Sequence, residues 1–156
     1  MKLVLDTNVW LDWLVFDDVR LAPLALGVDA GHLAILATER MLDEFAEVVA
    51  RPQFALAPAR CDALRARQRA AVRACAPAPD CRLPCTDRDD QMFIDLAVAH
   101  RVDWLLSRDK ALLRLRRIGA RRFGLRIGTP EDWVRAGLDD DAAAGPASEA
   151  RPGRAL

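Results

Sequence analysis

The most constraining feature of this chain is its short apolar runs, separated by stretches of helical period. Lys2-Leu3-Val4-Leu5, Leu33-Ala34-Ile35-Leu36 and Asp103-Trp104-Leu105-Leu106 are each about four residues long. Runs of that length, apolar at adjacent positions, read as strands buried on both faces. Helical stretches separate them, at Asn8 to Phe16, Val19 to Ala30, Thr38 to Arg51, Ala59 to Ala76 and Asp87 to His100. Gly31 is a natural stop for the second, and Thr38 an N-cap for the third. A short helix to Arg117 and a weak strand at Leu125-Arg126-Ile127 come next. Thr129-Pro130-Glu131-Asp132 then opens a last helix, with Pro at the first helical position. Strands alternating with helices imply an α/β fold, a parallel sheet covered on both faces.

The 156 residues suit one domain, and 52% hydrophobic residues suffice for a core. From Leu138 onward the composition shifts to Asp, Ala, Gly, Pro and Arg. The expected division is therefore a domain over 1–137 and a disordered tail over 138–156. No run approaches the ~20 apolar residues of a membrane span, and the start leaves no room for a signal peptide. Cys61, Cys75, Cys81 and Cys85 lack the paired spacing of a zinc site. Reduced thiols and a cytoplasmic location are the expectation.

Ligands of open parallel sheets bind beyond the carboxyl ends of the strands, and two strands here lead into acids. Asp6 comes directly after the first, and Asp109 comes after Leu106-Ser107-Arg108. Each has a structural alternative as a helix cap. In the Thr38–Arg51 helix, Met41, Leu42, Phe45, Val48 and Val49 form the apolar stripe. At ~100° per residue, Asp43 and Glu47 point to solvent, whereas Glu44 lies at the stripe's edge. A carboxylate turned toward a buried face needs a partner, for which a salt bridge is the structural alternative. Asp87, Asp89 and Asp90 crowd the start of the next helix, where capping could account for two of them. Asp95 in that helix points away from its apolar side and is expected in solvent. Acids from four segments could thus meet at one sheet edge. Oxygen ligands without His or Cys select Mg2+ or Mn2+, the ions of phosphoryl and phosphodiester chemistry.

In order, Leu3-Val4-Leu5-Asp6-Thr7-Asn8-Val9, Glu44, Asp87-x-Asp89-Asp90-x-x-Phe93-Ile94-x-Leu96-Ala97, Leu106-Ser107-Arg108-Asp109-Lys110 and Thr129-Pro130-Glu131-Asp132-Trp133 resemble a PIN-domain ribonuclease. More narrowly, they resemble the VapC-like toxins of toxin–antitoxin pairs. The resemblance spans about residues 1–135 and implies a three-layer α/β/α fold with a central parallel sheet. It implies that Asp6, Glu44, Asp90 and Asp109 hold a catalytic Mg2+ or Mn2+, with Asp89 in reserve. Asn8 and Ser107 match the polar positions that orient the first acid. The implied reaction is hydrolysis of single-stranded RNA to a 3′-hydroxyl and a 5′-phosphate. The implied partners are RNA, a cognate antitoxin protein and a second copy of the chain. The cysteine-bearing loop and the tail depart from the family pattern.

Net charge is zero, 23 Lys and Arg against 23 Asp and Glu, so any nucleic-acid contact must be local. Residues 101–126 hold nine Lys and Arg against two Asp, and residues 60–73 hold five Arg against one Asp. The first stretch adjoins Asp109, so Arg108, Lys110 and Arg114 are the expected RNA contacts. A haloacid-dehalogenase-like phosphatase needs a second acid where Asn8 stands, and a receiver domain needs adjacent acids after the first strand. The remaining alternatives are a Mg-dependent phosphatase of another α/β family and a catalytically silent scaffold that binds a partner protein.

Overall fold

The computed structural model describes residues 1–144, with side chains through 137. Five parallel strands form one sheet: β1 (Lys2–Leu5), β2 (Ala34–Thr38), β3 (Val72–Cys75), β4 (Trp104–Leu106) and β5 (Arg126–Gly128), in the order β3-β2-β1-β4-β5. The connecting helices are α1 (Thr7–Leu14), α2 (Ala22–Asp29), α3 (Glu39–Val49), α4 (Pro58–Ala71), α5 (Gln91–Ala99), α6 (Lys110–Leu113), α7 (Arg116–Phe123) and α8 (Pro130–Ala144). Single 3-10 turns lie at Val19–Leu21 and Pro52–Phe54. No helix among the described residues is long and apolar enough to cross a membrane.

Alternation along each strand divides the core in two. Val4, Leu36, Leu105 and Ile127 face a cluster built with Phe93, Ile94, Leu96 and Ala97 of α5. Leu3, Leu5, Ile35, Trp104 and Leu106 face the other layer, with Val9, Trp10 and Leu14 of α1 and Leu64 of α4. The result is a three-layer α/β/α sandwich with β1 at its centre. Helix α3 serves both clusters, with Met41 and Leu42 in the first and Phe45 and Val49 in the second. Thr38 caps it by accepting from the Met41 amide at 3.4 Å. That double burial holds α3 across the carboxyl edge of the sheet.

Four expectations differ from the structure. The stretch read as one helix from Ala59 to Ala76 breaks at Ala71, and its end is the edge strand β3. Arg and Ala favour helix, and an edge strand with its middle residues exposed lacks the apolar run of a buried one. The helix expected to end at Arg117 is instead two, α6 and α7, and α7 closes on Gly124 with φ 67°. Asp95 is buried rather than solvated, accepting from the Cys81 amide at 3.0 Å and Gln91 Nε2 at 2.9 Å. Gln91 in turn accepts from the Cys85 amide at 2.8 Å. This pair stitches the Pro-punctuated loop onto α5, covering the side that helical angles alone assign to water. The same loop pushes the Cys81 thiol up to about 11, through burial and its hydrogen bond to Asp95. Helix α8 runs to Ala144, past the boundary expected at 137. The rest of the expected tail, 145–156, lies outside the described residues.

Candidate active site

The sheet ladder extends one step past the strands and so fixes the first acid. The Asp6 amide donates to the Leu106 carbonyl at 2.9 Å, and the Ser107 amide to the Gly128 carbonyl at 3.0 Å. Asp6 and Ser107 therefore stand side by side at the carboxyl edge, both buried. Ser107 Oγ donates to Asp6 Oδ2 at 2.5 Å and accepts from the Asp109 amide at 2.8 Å. Asn8 Nδ2 donates to the same Asp6 oxygen at 2.7 Å, and Asn8 Oδ1 accepts from the Arg108 amide at 3.2 Å. Two polar side chains thus orient one carboxylate and tie it to the loop bearing the next.

Above this floor opens a cleft of roughly 850 Å³. Asp6, Glu44, Asp90 and Asp109 all line it, as do Thr7, Asn8, Asp87 and Asp89. Glu44 reaches it from the edge of the α3 stripe and accepts from Thr7 Oγ1 at 2.5 Å. Asp109 caps α6, accepting from the Ala111 amide at 2.6 Å. Asp90 precedes α5 without a capping hydrogen bond. The structure thus gathers the acids of four separate segments at one cleft, with Ser107 beneath it.

Burial and crowding raise two of these acids. Burial pushes Asp6 up to about 6, against the lowering hydrogen bond from Ser107, and the charges of Glu44 and Asp109 add to the rise. Asp90 is pushed up to about 7, by desolvation first and then by Asp6, Asp109, Asp87 and Glu44. Such a rise marks carboxylates that burial first, and acidic neighbours second, leave without a compensating cation. The donor set, all carboxylate oxygen, matches a hard divalent cation. Among the described residues, no three acids, cysteines or histidines are already gathered closely enough to share one ion. Glu44 engages Thr7 through Oε1 and Asp109 its cap through Oδ1, so each would have its second carboxylate oxygen for a metal.

The raised values lead to a stability measurement. In the unfolded chain both carboxyls ionise near 3.8, whereas in the fold they keep their protons to about 6 and 7. The folded state therefore binds more protons in between, and its stability falls as pH rises. Without divalent ions, the melting midpoint is expected to drop between pH 5 and pH 8. Mg2+ should raise it more at pH 8 than at pH 5, since the ligands must be ionised. A midpoint that climbs across this window, with no Mg2+ effect, would contradict the crowded-acid reading.

The basic residues lie elsewhere than expected. Arg108 does not line the cleft; its guanidinium is held by Asp12 at 2.5 Å and Glu131 at 2.9 Å. The cause is topological, because α1 and α8 flank the loop after β4 with acids. Lys110 and Arg114 are exposed but also absent from the lining. The cleft's own cations are Arg40 and Arg51, with Asp43 and Glu47 between them. Sequence reasoning missed this pair and Thr7. The four-residue spacings of Arg40 to Glu44 and Glu47 to Arg51 were the available signal.

A PIN domain model matches residues 2–111 of the chain, the segment that carries all four acids. No curated protein and no solved structure matches it. With the family match covering most of the sheet and the whole acidic cleft, the chain belongs to the PIN domain family, whose members are generally nucleases acting on nucleic acids.

Proposed function

We propose that this chain is a Mg2+- or Mn2+-dependent endoribonuclease acting on single-stranded RNA, and the toxin of a toxin–antitoxin pair. The observation that carries the nuclease reading is the convergence of Asp6, Glu44, Asp90 and Asp109 on one cleft, two of them held above the ordinary carboxylate range. These four residues would hold the ion. When bound, it supplies Lewis-acid stabilisation of the phosphoryl oxygens and lowers the pKa of attacking water. The chain's own part is positioning. Ser107 and Asn8 keep Asp6 in one orientation, Thr7 restrains Glu44, and the α6 cap fixes Asp109. In-line attack of water on phosphorus breaks the bond to the 3′ oxygen, leaving a 3′-hydroxyl and a 5′-phosphate. No side chain need form a covalent intermediate.

The toxin assignment rests on the ordered motifs, from Asp6-Thr7-Asn8 to Thr129-Pro130-Glu131-Asp132-Trp133. It carries with it a cytoplasmic location, a cognate antitoxin protein and a homodimer. The test has two arms. The purified chain should cleave single-stranded RNA with Mg2+ or Mn2+ and stop on addition of EDTA. Expressed alone it should slow host growth, and Asp109→Ala should relieve the effect. Metal-independent cleavage would sink the mechanism, and equal growth inhibition by Asp109→Ala would sink the toxin reading.

A further inference from the structure

The arginines expected beside the acids collect instead at the other end of the sheet. Arg101, Arg122 and Arg126 line a second groove of roughly 760 Å³, with Val98, Phe123 and Gly124. They sit before β4 and around the start of β5, at the amino edge of the sheet. From Asp103 to Ser107 the strand spans about 13 Å, at ~3.3 Å per residue. That exceeds the ~8–10 Å screening length near physiological salt, so the acids of the cleft do not cancel this charge. The one acid in the groove, Asp103, accepts from the Lys2 amide at 2.6 Å. Among the described residues none of the three arginines is in a salt bridge.

Two of them are pre-oriented on aromatic rings: Arg126 over Trp104 at 4.9 Å and Arg122 over Phe123 at 5.0 Å. A guanidinium laid on a ring keeps its free face for stacking on a base and its edge for phosphate; Nη1 of Arg122 donates to the Arg82 carbonyl at 3.4 Å, which leaves its Nη2 and the Arg126 edge for that contact. Arg101 occupies the left-handed position closing α5, with φ 47°, where glycine is the unstrained choice. Arg117 and Arg121 of α7 are exposed as well. Three cations on one groove, two of them held on rings that leave a face for a base, suit a single strand of nucleic acid better than a short acidic peptide.

We propose that this groove is an exosite for the backbone of single-stranded RNA, engaged by long substrates whose scissile bond lies in the acidic cleft. The proposal rests on the nuclease reading, and its test separates the two. Binding of a labelled RNA of about 20 nucleotides, longer than the ~4–16-nucleotide sites of single-strand binders, is measured without turnover in an Asp6→Asn background. Adding R101Q/R122Q/R126Q should weaken binding about tenfold near 0.1 M salt. The slope of log K against log salt should fall by about 2, at ~0.7 per phosphate contact. R101K/R122K/R126K, which keeps the charge, should retain most of the affinity. In the otherwise wild-type enzyme, the Gln variant should raise KM for the long RNA and leave cleavage of a four-nucleotide RNA within about twofold. Long-RNA affinity unchanged in the Gln variant, with its melting midpoint intact, overturns the exosite. So does a poly-glutamate peptide that binds the wild-type groove where the RNA does not. Failure to cleave even the short RNA would count against the nuclease reading, whatever the binding shows.

Discussion

Asp6→Asn is expected to reduce RNA cleavage on the order of 10²–10³-fold while leaving the fold intact. Asp6 is the acid on which the site's hydrogen bonds converge, with Ser107 Oγ and Asn8 Nδ2 both donating to its Oδ2. An asparagine carbonyl oxygen can accept the same two bonds, so the loop to Asp109 keeps its anchor. The substitution removes one negative charge where a divalent cation would be held. Loss of one preorganised electrostatic group at a reaction centre typically costs a factor of about 10²–10³. It also removes a buried carboxyl pushed up to about 6. The metal-free variant should therefore be at least as stable as the wild type at pH 8 and lose part of the fall in melting midpoint between pH 5 and pH 8. Cleavage kinetics and thermal unfolding are measured on one preparation. Full activity in Asp6→Asn would remove it from the metal site. Lost activity together with lost folding would mean that the hydrogen bonds matter more than the charge.

Arg108→Ala should lower thermal stability by about 1–3 kcal/mol, less than the ~3–5 of breaking a fully buried pair, because its partners keep some contact with water. Its guanidinium joins Asp12 of α1 to Glu131 of α8, the latter through two parallel contacts at 2.9 Å. Removing it takes the cation from Asp12 and leaves Glu131 to the exposed Arg20 at 3.1 Å, which it shares with Asp18. Arg108→Lys should recover little of the loss, since an ammonium cannot reproduce the fork on Glu131. Arg108 holds the Glu131 carboxyl down to about 2. This contribution is complete above the usual ~4.5 and fades as pH falls toward 2. Calorimetry at pH 7 reads the effect as a drop of several degrees. A wild-type midpoint with a shallower salt dependence of RNA binding would return Arg108 to the RNA-contact role its place beside Asp109 implied.

How much of the site could be read from residue order depends on how local the cause is. Asp6 and Asp109 were legible because a parallel sheet presents the residues just beyond its strands at one edge. Glu44 was legible because helical angle places it at the rim of an apolar stripe. Asp95 was not, since angular counting places only the neighbours on its own helix, and a Pro-rich loop returns to cover its other side. The ion pairs of Arg108 were hidden for a similar reason. Proximity in sequence to Asp109 says nothing about α1 and α8, whose acids take its charge. β3 escaped because its pairing with β2 comes from a partner distant in sequence, while its own residues favour helix.

The residues by themselves determined the alternating α/β architecture, the strand ends that present acids, and a net charge of zero built from separated charges. Burial pattern and helical period are properties of neighbouring residues, so they survive being read one segment at a time. Tertiary structure alone decided where the charges meet. It brought the acids of four segments into one cleft and spent Arg108 on two helices. It also left Arg101, Arg122 and Arg126 at the opposite edge of the sheet. The physical reason is that electrostatic interactions depend on distance in space. The strand order β3-β2-β1-β4-β5, which sets those distances, is chosen by packing between segments far apart in the chain.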